Sequence, residues 1–327
     1  MRIVIVMLFV LLFGPGWSGE ERLPLYSGTP VVRVERVALD AEDPTRTTIG
    51  PLTYLGGIRF RSRDPAFGGF SAIAIRDDRF LLLADGGLTF GFTMGADLKP
   101  RDYRFGKVPA GPGTGWPKRD RDTESLAVDP TTGRMWIAFE GTNMIWRYSA
   151  GLARAEASRA PPAMADWPVN GGAEAMVRFP DGRFLVFSED ADDPADGKRA
   201  LLFDRDPTDP RARMRALRVP VPPPYRPTDA VVLPDGRLLI LTRAISLKQG
   251  FTAKLLLADS RDIVRGAIRS RVLATFAYPL LHDNFEGLAI TREGGATILW
   301  MVSDDNPPTF FQRSLLLKFR LDLPARR

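Results

Sequence analysis

The chain has 327 residues, is 44% hydrophobic, and contains no cysteine and one histidine at a formal net charge of +6. These counts exclude disulfide frameworks, thiol chemistry and metal centres built on Cys or a His cluster, while 30 Gly and 28 Pro favour many turns over long helices. The positive charge is scattered Arg without a basic run or an aromatic–basic RNA motif, so nucleic acid is not an expected partner.

The N-terminus, MRIVIVMLFVLLFGPGWSG, places one Arg before about a dozen apolar residues and then small residues and turn formers. That pattern predicts a short secretory signal cleaved near Ser18–Glu20, with a run shorter than the roughly 20 residues a spanning helix needs. The expected product is a periplasmic or secreted monomer with no stable membrane insertion. The chain divides into residues 1–19 as signal, 20–50 as an extension with one strand (VVRVERVAL, Val31–Leu39), and 51–323 as one repetitive domain.

That domain repeats a unit of two apolar strands around a tight turn. GGFSAIAIRDDR precedes FLLLAD, DTESLAVDPTTGR precedes MWIAFE, and GGAEAMVRFPDGR precedes FLVFSED. PTDAVVLPDGR then precedes LLILTR, and NFEGLAITREGG precedes TILWMVSDD. Asp181-Gly182 and Asp235-Gly236 are hairpin dipeptides, expected in type I′ turns, with their Asp residues read as turn formers. The units begin at Ser71, Glu124, Glu174, Asp229 and Glu286, roughly 50–57 residues apart, and further strand-like runs such as MIWRYS, ALLFD, AKLLLAD and VLATFAY lie between them. About four strands per repeat predicts an all-β fold, a β-propeller with five blades counted and six possible. The last unit ends on SLLLKFRL, so LTYLGGIRF (Leu52–Phe60) is expected to supply its outer strand and close the ring. VVRVERVAL could belong to a sixth blade.

Four of the five inner strands start on an acid, and an antiparallel partner brings the end of the second strand alongside. Glu124 is therefore expected near Glu140, Glu174 near Glu189, Asp229 near Arg243, Glu286 near Asp304, and Ser71 near Asp85, all on one rim. Converging carboxylates repel unless a cation compensates, and oxygen-only ligands suit Ca²⁺ or Mg²⁺. The metal set read from the sequence is Glu124, Glu174, Asp229, Glu286 and Asp304. Glu286, Glu174 and Arg243 are the catalytic candidates, and Arg243, Lys248 and Asn284 the substrate-binding ones. Arg243 could instead simply pair with Asp229 or Glu174. The acids could also serve as ties to neighbouring backbone N–H groups. His282, without a GxSxG elbow in the chain, reads as structural.

FGGFSAIAIRDDRFLLLADGG, DTESLAV, NGGAEAMVRFPDGRFLVFSED, TDAVVLPDGRLLILTR, and DNFEGLAI followed by VSDDNPPTFFQRSLLLKF together resemble the bacterial "esterase-like activity of phytase" family. The resemblance runs from about Tyr54 to Leu321, and its most specific part is DNFEG with SDDN-QRSLLL. It implies an exported phytase-like propeller hydrolase acting on a small-molecule ester, with phosphate esters among the candidates and calcium-dependent propeller phytases as an analogy. The chain departs from the family pattern at Glu124-Ser125, where Glu-Gly is common, and at Thr242-Arg243, where Glu-Arg is common. Two function classes follow: a divalent-metal-dependent hydrolase, or a non-catalytic propeller that binds a ligand or protein with a structural cation or none.

Overall fold

Five antiparallel sheets stand around a common axis in the computed structural model, which describes residues 22–26, 29–192, 197–264, 268–305 and 312–326. The expected signal peptide lies outside the described residues. Before the first complete blade come β1 (Val32–Val37), β2 (Thr48–Ile49) and β3 (Leu52–Ser62). Blade 1 is β4 (Phe70–Arg76), β5 (Arg79–Ala84), β6 (Leu88–Met94) and β7 (Pro100–Lys107). Blade 2 is β8 (Thr123–Val128), β9 (Met135–Phe139), β10 (Met144–Tyr148) and β11 (Ala155–Arg159). Blade 3 is β12 (Ala173–Arg178), β13 (Phe184–Asp192), β14 (Lys198–Phe203) and β15 (Met214–Val219). Blade 4 is β16 (Arg226–Val232), β17 (Arg237–Ser246), β18 (Gly250–Asp259) and β19 (Ser270–Phe276).

Blade 5 joins both ends of the chain. Its order is β20 (Phe285–Glu293), β21 (Ala296–Ser303), β22 (Ser314–Leu321), then β3 and β1. β3 closes the ring beside β22, as LTYLGGIRF leads one to expect. β1 pairs with β3 from Val32↔Ser62 to Val37↔Gly57, so it is an extra outer strand of blade 5, and the described residues form five blades and no sixth.

Apolar residues fill the spaces between neighbouring blades, and both faces of the second strands are covered. Blades 5 and 1 meet on Phe60, Phe70, Phe90 and Trp300, and blades 4 and 5 on Leu241, Leu255, Leu299 and Phe319. Double coverage is why FLLLA, FLVF and TILWMV read as continuous apolar runs rather than alternating ones. The Asp-Gly turns differ from type I′. Only the glycines take positive φ, 87° at Gly182 and 83° at Gly236. Asp181 and Asp235 instead accept the N–H of Arg183 and Arg237 through Oδ1, at 3.1 and 3.0 Å, which keeps them turn formers by a different turn.

Each inner strand carries a β-bulge at the same place. Pairing with the second strand slips between Phe70 and Ala72, Thr123 and Ser125, Ala173 and Ala175, Pro227 and Asp229, and Phe285 and Gly287. The bulged residues are therefore Ser71, Glu124, Glu174, Thr228 and Glu286. A bulge re-aims one side chain out of the alternation of its strand. Here it marks the start of all five inner strands.

Candidate active site at the acidic channel mouth

One end of the channel is a cavity of about 280 Å³ built from two rows of residues. The bulges contribute Ser71, Glu124, Glu174 and Glu286, and the ends of the second strands contribute Asp85, Glu140, Glu189, Arg243 and Asp304. Asp190 and Arg226 join them, giving eight carboxylates against two guanidinium groups among the described residues. One step further along the inner strands come Ile73, Leu126, Met176, Ala230 and Leu288, which line the apolar opposite end of the channel. The acids therefore stand on an apolar floor, and Glu174 and Glu286 are only 5% and 7% exposed.

The charges are distributed unevenly. Arg243 bridges Glu189 at 2.9 Å and Glu286 at 3.1 Å, and donates to Asn284 Oδ1 at 2.9 Å. Its Nε is buried without a hydrogen-bond partner among the described residues. Arg226 holds Asp190 at 2.7 Å, and Lys118 holds Asp85 at 2.7 Å. On the side of blades 2 and 3, Glu124, Glu140 and Glu174 make no ion pair with any described residue. There the carboxylate oxygens of Asp122, Glu124 and Glu140 lie within 4.8 Å of one another. Glu140 also accepts the N–H of Gly171 and shares a hydrogen bond with Glu174.

Protonation follows from this placement. Burial, then repulsion from Glu140 and Asp122, pushes the Glu124 carboxyl well above the ordinary range. Burial and then Glu124 and Glu189 do the same to Glu174. Glu286 is raised by burial, but Arg243 opposes the rise and leaves it at about 7. Burial works against the charge of Arg243, yet Glu286, Glu189, Glu174 and Glu124 hold its proton more firmly than usual. Burial, followed by the charge of Glu286, lifts Asp304.

The structure brings Glu124, Glu174, Glu286, Asp304 and Arg243 to one cavity and leaves three expected site residues out of it. Asp229 follows the bulge instead of occupying it. Its carboxylate accepts the N–H of Leu288 at 2.6 Å and of Ala230 at 2.7 Å, tying blade 4 to blade 5. Arg243 accordingly pairs with Glu189 and Glu286, not with Asp229. Asn284 is buried and links Arg243 to Asp304 and Gln312 instead of lining the cavity. Lys248 is exposed in the turn between β17 and β18, beyond Arg243.

Of the other residues singled out from sequence, His282 bonds the carbonyl of Leu280 through Nδ1 and stands outside the mouth. Ser71 and Thr228 donate to the carbonyls of Thr123 and Phe285, each on the next blade. Tying blades together is thus what the hydroxyls and Asp229 do, while the three bulge glutamates face the mouth. The true counterpart of Glu174 in blade 4 was within reach: Thr228 precedes Asp235-Gly236 by seven residues, as Glu174 precedes Asp181-Gly182. Asp122 and Glu140, missed as ligand candidates, flank the inner and second strands of blade 2.

The five-bladed propeller with a carboxylate-lined mouth defines a class, and a family model narrows it. The model described as "Phytase-like: Esterase-like activity of phytase" matches residues 65–307, and the chain belongs to that family. No curated protein matches the chain. Among solved structures, the chain is similar to Myxococcus xanthus glutaminyl cyclase at 11% identity and TM-score 0.45, covering 79% of this chain and 92% of that one. It is also similar to the Cps50 (Swd1) β-propeller domain of Myceliophteria thermophila, at 13% identity and TM-score 0.38, over 76% and 71% of the two chains. Kuenenia stuttgartiensis hydrazine synthase is similar at 12% identity and TM-score 0.38 over 73% of this chain, which spans 57% of that chain's length.

Proposed function

We propose that the protein is an exported hydrolase that cleaves a small-molecule ester at the acidic mouth with a divalent cation bound. The observation that carries this reading is the division of the mouth into a crowded carboxylate cluster, whose buried Glu124 and Glu174 are pushed well above the ordinary range, and an arginine braced against a glutamate poised near neutrality. Asp122, Glu124 and Glu140, with Glu174 beside them, fit a hard cation such as Ca²⁺ or Mg²⁺, because all their donors are oxygens and their crowding needs positive charge. Such a cation supplies charge that ionises these acids and polarises an ester oxygen.

The chain's own residues supply the rest. Glu286, with its carboxyl at about 7, exchanges a proton with the attacking water or the leaving oxygen near neutral pH. Arg243 keeps its charge throughout and offers it to the developing negative charge of the ester. Family membership supports a hydrolytic role. Export rests on the N-terminal pattern and is checked by sequencing the N-terminus of the mature protein; the monomer is checked by size-exclusion chromatography.

The test of activity is turnover of p-nitrophenyl phosphate and p-nitrophenyl acetate before and after chelation, with Ca²⁺ or Mg²⁺ added back. Hydrolysis of one ester that chelation abolishes and cation restores supports the reading. Absence of turnover on both, accompanied by a chelator-sensitive melting temperature, would establish a binding propeller instead.

A further inference from the structure

A second polar cavity, of about 760 Å³, lies on the outer strands of blade 5 and is lined by Arg33, Arg59, Arg61, Arg63 and Arg313. Its origin is legible in the strand pairing. Arg33 on β1 stands directly opposite Arg61 on β3, and Arg59 is two residues before Arg61, so all three share one face of the sheet. The alternate residue, Phe60, is 2% exposed and belongs to the core between blades 5 and 1. Like charges directly opposite across a strand pair are destabilising, so this arrangement works against the edge it occupies.

Few local acids relieve it. Glu35 pairs with Arg61 at 3.1 Å and Asp283 with Arg313 at 2.8 Å. Of the two carboxylates in the lining, Asp64 accepts the N–H of Ala66 and Asp305 that of Gly69. Arg33, Arg59 and Arg63 make no ion pair with a described residue. Burial and the charges of Arg61 and Arg313 depress the pKa of Arg59, as expected for a cation crowded by cations.

We propose that this groove is a binding site for a small oligophosphate, an anion carrying two or more phosphate groups, held by Arg33, Arg59, Arg61 and Arg63 with Arg313 beside them. Guanidinium forks match phosphate oxygens in pairs. Successive same-face arginines on a strand are about 7 Å apart, so one phosphate cannot engage them all, whereas a short chain of phosphates can. The cavity falls within the roughly 300–1,000 Å³ of small-molecule sites and is large for a single oxyanion. Among its described lining residues the one aromatic is Phe60, which is buried. The site does not depend on the mouth being catalytic.

The test is calorimetric titration of the chelator-treated, dialysed protein with sodium tripolyphosphate. One saturable site is expected, weakening as salt is raised. The double variant Arg33→Gln/Arg59→Gln should bind at least about tenfold more weakly, since charge-assisted hydrogen bonds are lost. Glu286→Gln and the distant pair Arg154→Gln/Arg211→Gln should bind as the parent does. Arg63→Gln, at an exposed position just past β3, tests the same site should the double variant fail to fold. The proposal is overturned by absence of saturable binding, by equal weakening in the distant pair, or by citrate binding as tightly as tripolyphosphate.

Discussion

Glu286 and Asp229 show how far one position in a strand separates two roles for a buried acid. Glu286 sits on a bulge and titrates near neutrality in the mouth. Its folded pKa of about 7 exceeds its ordinary value of 4.5, so its contribution to stability is complete below about pH 4.5 and is lost as pH rises through 7. For the cation-free protein, urea denaturation from pH 4.5 to 8 should show a loss of about 3 kcal/mol from this group, absent in Glu286→Gln. The same variant should lose most ester turnover while keeping its fold, and full activity in it would remove Glu286 from the site. Asp229, by contrast, satisfies two backbone N–H groups. Asp229→Ala should cost about 1–3 kcal/mol in the same assay, with cation affinity unchanged, and Asp229→Asn less. Arg243→Met leaves Glu189 and Glu286 buried without their cation and should cost about 3–5 kcal/mol, with Arg243→Lys recovering part.

At the scale of the element, the recurring unit is a bulged inner strand beside an apolar second strand. The joint that closes the ring is the pairing of β22 with β3, where Gly57 lies opposite Leu317. A Cβ at Gly57 would come within 2.6 Å of both Leu317 Cδ2 and the Tyr54 hydroxyl, two side chains held in the packed interior. Gly57→Val should therefore lower stability by about 1–3 kcal/mol, read as a fall in melting temperature. The strand periodicity was legible because second strands are covered on both faces and Asp-Gly marks their turns. Outer strands were less so: β7, β11 and β15 (PRDYRFGK, AEASR, MRALRV) are half exposed and charged, and leave little apolar signal. The bulges were not legible at all, since an extra residue in one strand is a matter of pairing. Aligning Asp229 with Glu286 follows the acid and passes over the seven-residue spacing to Asp-Gly that marks Thr228, while the second row, Asp85, Glu140 and Glu189, reads from sequence only as neighbours.

At the scale of the whole molecule, the mouth draws on every blade, so whatever binds there acts on the ring as a unit. A cation bound by the folded protein at 100 times its Kd should add about 2.7 kcal/mol of stability. The matching observation is a melting temperature that rises with Ca²⁺ or Mg²⁺ at pH 7.5 and falls on chelation. Asp122→Asn/Glu140→Gln should lose that response. A melting temperature indifferent to both cations would leave the carboxylate cluster without its proposed ligand.

The ring is shut by residues from opposite ends of the chain, Leu52–Ser62 against Ser314–Leu321. Bringing them together closes a loop of more than 250 residues, an entropic cost of about 5 kcal/mol that local hairpins do not face. Glu286, Asp304 and Arg313 all belong to the blade or its loops that wait on this step. Emerging from the ribosome, the polypeptide can assemble its first four blades early and still lack a finished mouth. A product truncated before Ser314 lacks the strand that joins β21 to β3 and cannot close, so such copies present an exposed blade edge.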